Sequence, residues 1–302
     1  MKMKIAIAYH KEWQIYTDNN NYLLPIQVGK EHSNIDLSIT GDNMGDNISK
    51  LNPYYCEMTA MYYLWKNIDS DYLGLCHYRR LFAVNKEPLF NYILNKFAIV
   101  LTRLGALFKP GVRFTYVHSI FLPYSESSRT INKTVSQLHY LVNQYNYDII
   151  CCKPVELATE SVRTYLSRII GINGMKNLDD IMSTSPYLSS YSELLSNNRF
   201  PFGNMILMKK DVFNEYCVFV FDILNKHFAN SMGLLKENPV YNRISGYIAE
   251  ILTATFILSK QKENWKIGYL PSYFIGEMPK NMSVLKRLLF KMNFFHTAML
   301  RN

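Results

Sequence analysis

Short, mostly apolar runs alternate along this chain with longer stretches whose apolar residues recur every three or four positions. KIAIAY (4–9), YLGLC (72–76), YDIICC (147–152), FGNMILM (202–208) and residues 265–270 are runs of the first kind. They read as strands buried on both faces. Residues 25–28 form a shorter extended segment that ends at Gly29. Residues 54–67, 89–109, 134–144, 161–170, 212–228 and 241–258 carry the helical period. The first of these has a start signal, with Asn52 as N-cap and Pro53 in the first turn. Asp69-Ser70-Asp71 ends it. Residues 32–50 are polar and become rich in Gly, Asn and Asp (SITGDNMGDNISK), which predicts a long loop, and loops of that length tend to be functional. Residues 173–198 are polar and mixed. The alternation predicts an α/β chain with a mostly parallel sheet covered by helices on both faces. In such sheets ligands sit at the carboxyl ends of the strands.

Composition sharpens this picture by exclusion. With 48% hydrophobic and 14% aromatic residues in 302, the chain is too apolar for disorder, and 13 Gly with 11 Pro exclude a collagen-like or linker-rich polymer. Five Cys without CxxC or Cys/His spacing argue against a disulfide framework or a zinc site and for reduced, buried thiols in a cytosolic protein. The opening apolar run, residues 5–9, is shorter than a signal-peptide core. No stretch of some 18 uncharged apolar residues is present. The expectation is a cytoplasmic protein.

Charge changes the picture further. The net charge is +9, and two acid-free segments carry all of the excess. Residues 88–125 hold Lys96, Arg103, Lys109 and Arg113. Residues 278–302 hold Lys280, Lys286, Arg287, Lys291 and Arg301. Both are also apolar, a combination suited to an anionic membrane surface contacted through 88–113 and 284–301. The alternative is a core-packing helix with a solvated basic edge. The cations are diluted by Leu, Ile and Phe and no groove-reading motif is present, so nucleic acid is not expected as a partner.

Four constellations could carry chemistry. Strand 72–76 runs into His77-Tyr78-Arg79-Arg80. Strand alternation would put His77 and Arg79 on one side and Tyr78 and Arg80 on the other. Two guanidinium groups at a strand end suit a diphosphate, or pair structurally with Glu57 or Asp71. The loop from Asp42 through Asp46 and Asn47, with the Gln27-Val28-Gly29 edge, could hold a nucleoside or be a plain turn. Asp69-Ser70-Asp71 is a DxD triplet, but it precedes its strand and so reads as a turn. Asn204 could bond sugar hydroxyls. Glu250, among Ile, Ala and Leu in RISGYIAEIL, either pairs with an arginine such as Arg243 or serves as a base. There is no GxxxxGK, GxGxxG or GxSxG.

PIQVG (25–29), GDNIS (45–49), NPYYCEMTAMYYLWKN (52–67) and DYLGLCHYRRLF (71–82) resemble a bacterial family of capsular, exopolysaccharide and lipopolysaccharide glycosyltransferases long catalogued as a domain of unknown function. YDIICCKP, GNMILMKKDVFNEYC and RISGYIAEIL are similar to its later landmarks, and the resemblance spans roughly residues 4–275. It implies a glycosyltransferase-A-type fold over residues 1–278, with 88–125 as a basic apolar insertion and 279–302 as a basic tail. It also implies transfer of a hexose, galactose or galactofuranose, from a UDP-sugar to an undecaprenyl-linked oligosaccharide at the inner face of the plasma membrane. On that reading Glu250 and His77 are catalytic. Gln27, Gly29, Asp42, Asp46, Asn47, Arg79, Arg80 and Asn204 hold the donor. The arrangement is similar to that of bacterial lipopolysaccharide galactosyl- and glucosyltransferases, and His77–Arg80 stand where those have a metal-binding DxD, so no metal cofactor is expected, with Mn or Mg as the alternative. A non-catalytic sugar- or nucleotide-binding subunit, or a peripheral membrane scaffold, are the competing functions.

Overall fold

The computed structural model describes residues 1–109, 111–237 and 243–277. The basic tail, 279–302, lies outside the described residues. The first part of the chain forms β1 (Met3–Tyr9), β2 (Leu23–Gln27), β3 (Thr40–Gly41), α1 (Asn52–Tyr55), α2 (Met58–Asn67), β4 (Tyr72–His77) and β5 (Arg80–Phe82). The middle forms α3 (Leu89–Phe108), β6 (Thr115–Tyr116), β7 (Ser119–Pro123), α4 (Tyr124–Tyr145), β8 (Ile149–Cys152), β9 (Val155–Leu157), α5 (Val162–Met182) and α6 (Leu188–Ser196). The last part forms β10 (Arg199–Phe200), β11 (Ile206–Lys209), α7 (Lys210–Glu237), α8 (Ile244–Lys262), β12 (Ile267–Leu270) and β13 (Ser272–Gly276).

The main sheet runs β12-β8-β11-β4-β1-β2-β3, and β5, β13 and β7 branch from it. β4, β1, β2 and β3 are mutually parallel, as are β8 and β12, whereas β11 is antiparallel to both of its neighbours. All the parallel strands therefore end on one edge, and β11 begins there. Alternation along the apolar strands sends side chains to two separate cores. In β1, Ala6 and Ala8 face a core built largely from α2 and α5–α8, while Ile5, Ile7 and Tyr9 face a smaller one capped by α4. Helices thus cover both faces, as the pattern predicts. Gly74 is required within β4, because a Cβ there would stand 2.5 Å from the Ile206 carbonyl of β11.

Several elements differ from the sequence expectation. The helix expected from Asn52 is broken at Cys56, which adopts φ 52° between α1 and α2. The Asn52 amide donates to the Cys56 carbonyl (2.7 Å) and so braces the break instead of capping a helix. Residues 173–198 are mostly helical, because α5 continues past a kink at Gly171 (φ 74°) and α6 follows. Pro271 does not end the sheet: β13 follows it and pairs with β5 and β7. The insertion is also woven in more deeply than expected. β7 joins β13 in the main sheet, and β6 joins a second, three-stranded sheet with β9 and β10.

Candidate active site

The edge where β1, β4 and β8 end, and where β11 begins, gathers charged side chains from distant parts of the chain. β4 closes with His77. Tyr78 and Arg79 form a tight turn, and Arg80 opens β5 directly opposite His77. Residues opposite one another in an antiparallel pair face the same way. His77 and Arg80 therefore share a side, and the alternation expected from a continuous strand does not hold. Arg80 is the inward arginine. Burial draws its pKa below the usual guanidinium value, and nearby Glu250 opposes that shift. Arg79 sits exposed in the turn, its guanidinium 5.2 Å from the Tyr78 ring and 5.9 Å from the Phe274 ring.

Beneath this hairpin lie two carboxylates, Glu57 and Glu250. Glu57 follows the Cys56 kink, so the strained φ at Cys56 aims it toward the sheet edge. Its Oε1 accepts from the Asn204 amide at 2.9 Å and lies 3.7 Å from His77 Nε2. His77 Nε2 is 2.9 Å from the Gly203 carbonyl, which can only accept, so this nitrogen carries the proton. Glu250 projects from α8, one turn beyond Gly246. Burial, and next the Glu57 charge, push its carboxyl up to about 8 against the pull of Arg80 and Arg243. Its Oε2 is buried and has no hydrogen-bond partner among the described residues.

Asn204 serves a different purpose from the one its residue type suggests. Gly203 (φ 89°) and Asn204 (φ 49°) are consecutive left-handed residues that turn the chain into β11. The buried Asn204 amide then donates to Glu57 and, at 3.2 Å, to the Gly246 carbonyl, while its oxygen lies 3.2 Å from Thr253 Oγ1. Both amide protons are used within the protein. Asn204 is a brace between Glu57 and α8 and does not present its amide to a sugar.

Arg80 and Arg243 act on Glu250, and an imidazole stands close to the same basic groups. His10, just past β1, has its pKa lowered by burial and then by Lys11, Arg243, Arg79 and His77. Its ring packs edge-on against Tyr78 at 5.1 Å. Arg243 stands at the N-terminal end of α8, where the helix dipole adds to the positive field. Burial pushes the neighbouring Cys56 thiol up to about 12, which makes it a poor nucleophile. A recess beside Arg80 continues toward His118, Lys153, Phe202 and Phe274.

The remaining expected donor residues are placed differently. Gln27 is buried and saturated by Ser33, Ile35, Leu37 and Lys30. Asp42 is fully buried and accepts from the backbone amides of Gly29 and Lys30 and from the hydroxyls of Ser49 and Thr59. These two organise the loop after β2 from inside and are not free to contact a nucleoside. Gly29 (φ 65°) is required where it stands, because a Cβ would meet Asn52 Oδ1 at 2.5 Å. Asp46 bonds Asn67 at the far end of α2, and Asn47 folds back on Asn43 and Gly45. α2 leads from there into the start of β4, so both residues lie toward the opposite edge of the sheet. Asp69 and Asp71 lie on that opposite edge too, held by Lys210 and the Lys2 amide. His10 joins the site although the residue order did not single it out, and Glu57 and Arg243, expected only as ion-pair partners, join it too. For Glu57, the available signal was an acid inside the apolar NPYYCEMTAM.

The family model that matches residues 4–262 is described as Domain of unknown function (DUF4422). The chain belongs to this family. The fold of this DUF4422 chain is similar to the apo structure of WbbM, a bifunctional glycosyltransferase, with 22% identity and a TM-score of 0.69. The similarity covers 94% of this chain and 47% of that one, so the chain spans about half of that neighbour. No curated protein sequence matches it. The fold is α/β and glycosyltransferase-A-like. That fold implies a divalent cation at the end of β4, but the residues there do not fit one. The DUF4422 chain presents two guanidinium groups and an imidazole whose Nε2 is committed to a carbonyl. No group of three or more His, Cys, Asp or Glu suited to a metal occurs among the described residues.

Proposed function

We propose that the chain transfers a hexose from a nucleotide-diphosphate donor to a hydroxyl of a lipid-linked oligosaccharide in the assembly of a capsule, exopolysaccharide or lipopolysaccharide. The donor class we favour is UDP-galactose, in pyranose or furanose form, and the acceptor an undecaprenyl-linked glycan. The observation that carries this reading is a carboxylate with a buried, unpaired oxygen, Glu250, set near Arg80 and Arg243 at the carboxyl edge of the sheet, its pKa pushed up by burial and by Glu57. An anionic leaving group and a proton to be removed are what such a pairing serves.

In the proposed step the acceptor oxygen bonds to the anomeric carbon while the bond from that carbon to the diphosphate oxygen breaks. The electron pair leaves with the nucleoside diphosphate, whose growing charge is met by Arg79, Arg80 and Arg243 in place of a metal. The acceptor proton passes to ionised Glu250. Glu57, held by Asn204 and facing His77, keeps Glu250 basic enough to take it. Charge stabilisation of this kind contributes about 3–4 kcal/mol per donor in well-studied sites.

The experiment is a panel of nucleotide sugars scored by thermal shift and by transfer to a lipid-linked acceptor, with and without EDTA and manganese. A donor at about 100 times its dissociation constant adds about 2.7 kcal/mol of stability. The expected result is a UDP-sugar shift insensitive to EDTA, and turnover abolished in Arg80→Ala with the fold retained. Full turnover in both Arg79→Ala and Arg80→Ala would overturn the assignment. Donor binding without any transfer would favour a non-catalytic binding subunit.

A further inference from the structure

The helix α3 is built inside out. The side that packs on the protein carries Asn91, Asn95, Ala98 and Ile99, with Asn95 only 1% exposed. Its two cations, Lys96 and Arg103, flank that side and reach Glu156 at 2.5 and 3.3 Å. Arg199 binds the same carboxylate from β10. Burial works to raise the Glu156 pKa, but bonds from Lys96 and Arg199 outweigh it and hold the group below the ordinary carboxylate range.

The opposite side is apolar and open. Phe90, Ile93, Phe97, Val100, Leu101, Leu104 and Phe108 recur at helical spacing on one face and are all at least half exposed, with Leu107 at 76% and Phe108 at 89%. A stripe of this extent on a helix about 30 Å long has no counterpart among ordinary solvated helices. It is also free of charge, since the helix has turned both cations toward Glu156. Exposed Lys86 and Lys109 stand just beyond its two ends. No acidic residue occurs between Pro88 and Ser125.

We infer that this face of α3 lies in the interfacial layer of an anionic lipid bilayer, with its apolar side chains among the acyl chains and the basic ends at the headgroups. Charge decides between occupants. A second copy of the chain would bring the same basic rim against itself, whereas an anionic surface complements it. The helix lies along the surface and does not cross it: no helix among the described residues is long and apolar enough to span a membrane. Glu87, just before α3, receives Tyr116 and His118, and His118 lines the recess beside Arg80. The membrane-facing helix is thereby tied to the mouth of the candidate site, where a lipid-linked acceptor would arrive. The surface assignment itself holds whatever group the chain transfers.

The test is co-sedimentation with phosphatidylcholine vesicles, with and without phosphatidylglycerol, using the full chain and the combined variant Phe97→Glu, Leu101→Glu and Leu104→Glu. All three positions are exposed, so the variant should keep its circular dichroism and melting temperature. The expected result is binding that needs phosphatidylglycerol and falls more than about tenfold in the variant. A second variant, Lys86→Glu with Lys109→Glu, should weaken binding to the anionic vesicles at low salt. Equal binding by parent and triple variant would overturn the inference, as would absence of the parent from anionic vesicles. A parent dimer in sedimentation equilibrium that the triple variant abolishes would assign the face to a second copy and overturn it too.

Discussion

Glu250 shows how a single carboxylate can be informative before any ligand is bound. Its pKa is pushed to about 8, so the folded chain holds a proton that the unfolded chain releases in the ordinary carboxylate range. Its contribution to stability is therefore complete at acid pH and is lost as pH rises toward about 8. Glu250→Gln removes that loss. The variant's melting temperature relative to the parent should climb between pH 5 and pH 8.5 and then level off, and a constant difference across that range would refute the shift. In transfer assays the parent rate should rise through the same range, while Glu250→Gln should lose that rise and fall about a hundredfold or more below the parent at pH 8.5. Cys56 makes the complementary point. Its strained backbone positions Glu57, while burial keeps its own sulfur unreactive.

At the scale of elements, the turn into β11 decides how the site is held. Two left-handed residues in succession point Asn204 at Glu57 and at the Gly246 carbonyl of α8. Asn204→Ala leaves that carbonyl and a carboxylate without their donor, so urea unfolding should show a loss of about 1–3 kcal/mol. Gly203→Ala meets no steric neighbour, yet its φ of 89° suits only glycine, and a loss of about 1–2 kcal/mol is expected. The other element under tension is α3. Glu156 anchors it with a depressed pKa, so the anchor is intact above the ordinary carboxylate range and fails as pH falls below it. Hydrogen exchange in α3 should accelerate at acid pH well before α8 does. Simultaneous loosening of both would mean that the anchor contributes nothing separate.

For the molecule as a whole, a net charge of +9 and a cationic strand edge act on any anionic donor before contact. Donor affinity should weaken as salt rises and the screening length falls from about 10 Å toward 3 Å. Affinity unchanged over that range would show that the arginines do not meet the diphosphate.

The strand and helix alternation, the absence of phosphate-loop motifs, the polar tetrad after an apolar strand and the acid-free basic segments were all legible in the residue order, because each is a local pattern. His77, Arg79, Arg80 and Glu250 were identifiable on that basis. The rest depended on pairing between distant segments. A two-residue turn put Arg80 on the side of His77, where simple alternation separates them. The Cys56 kink brought Glu57 forward, and Asn204 was consumed in holding it. Gln27 and Asp42 turned inward, and Asp46 and Asn47 folded away, because loop residues satisfy whichever polar partners the surrounding helices leave open. The α3 sequence announced a basic, apolar helix. Only the tertiary structure, by supplying Glu156 as a partner for its cations, decided that the apolar face would point outward.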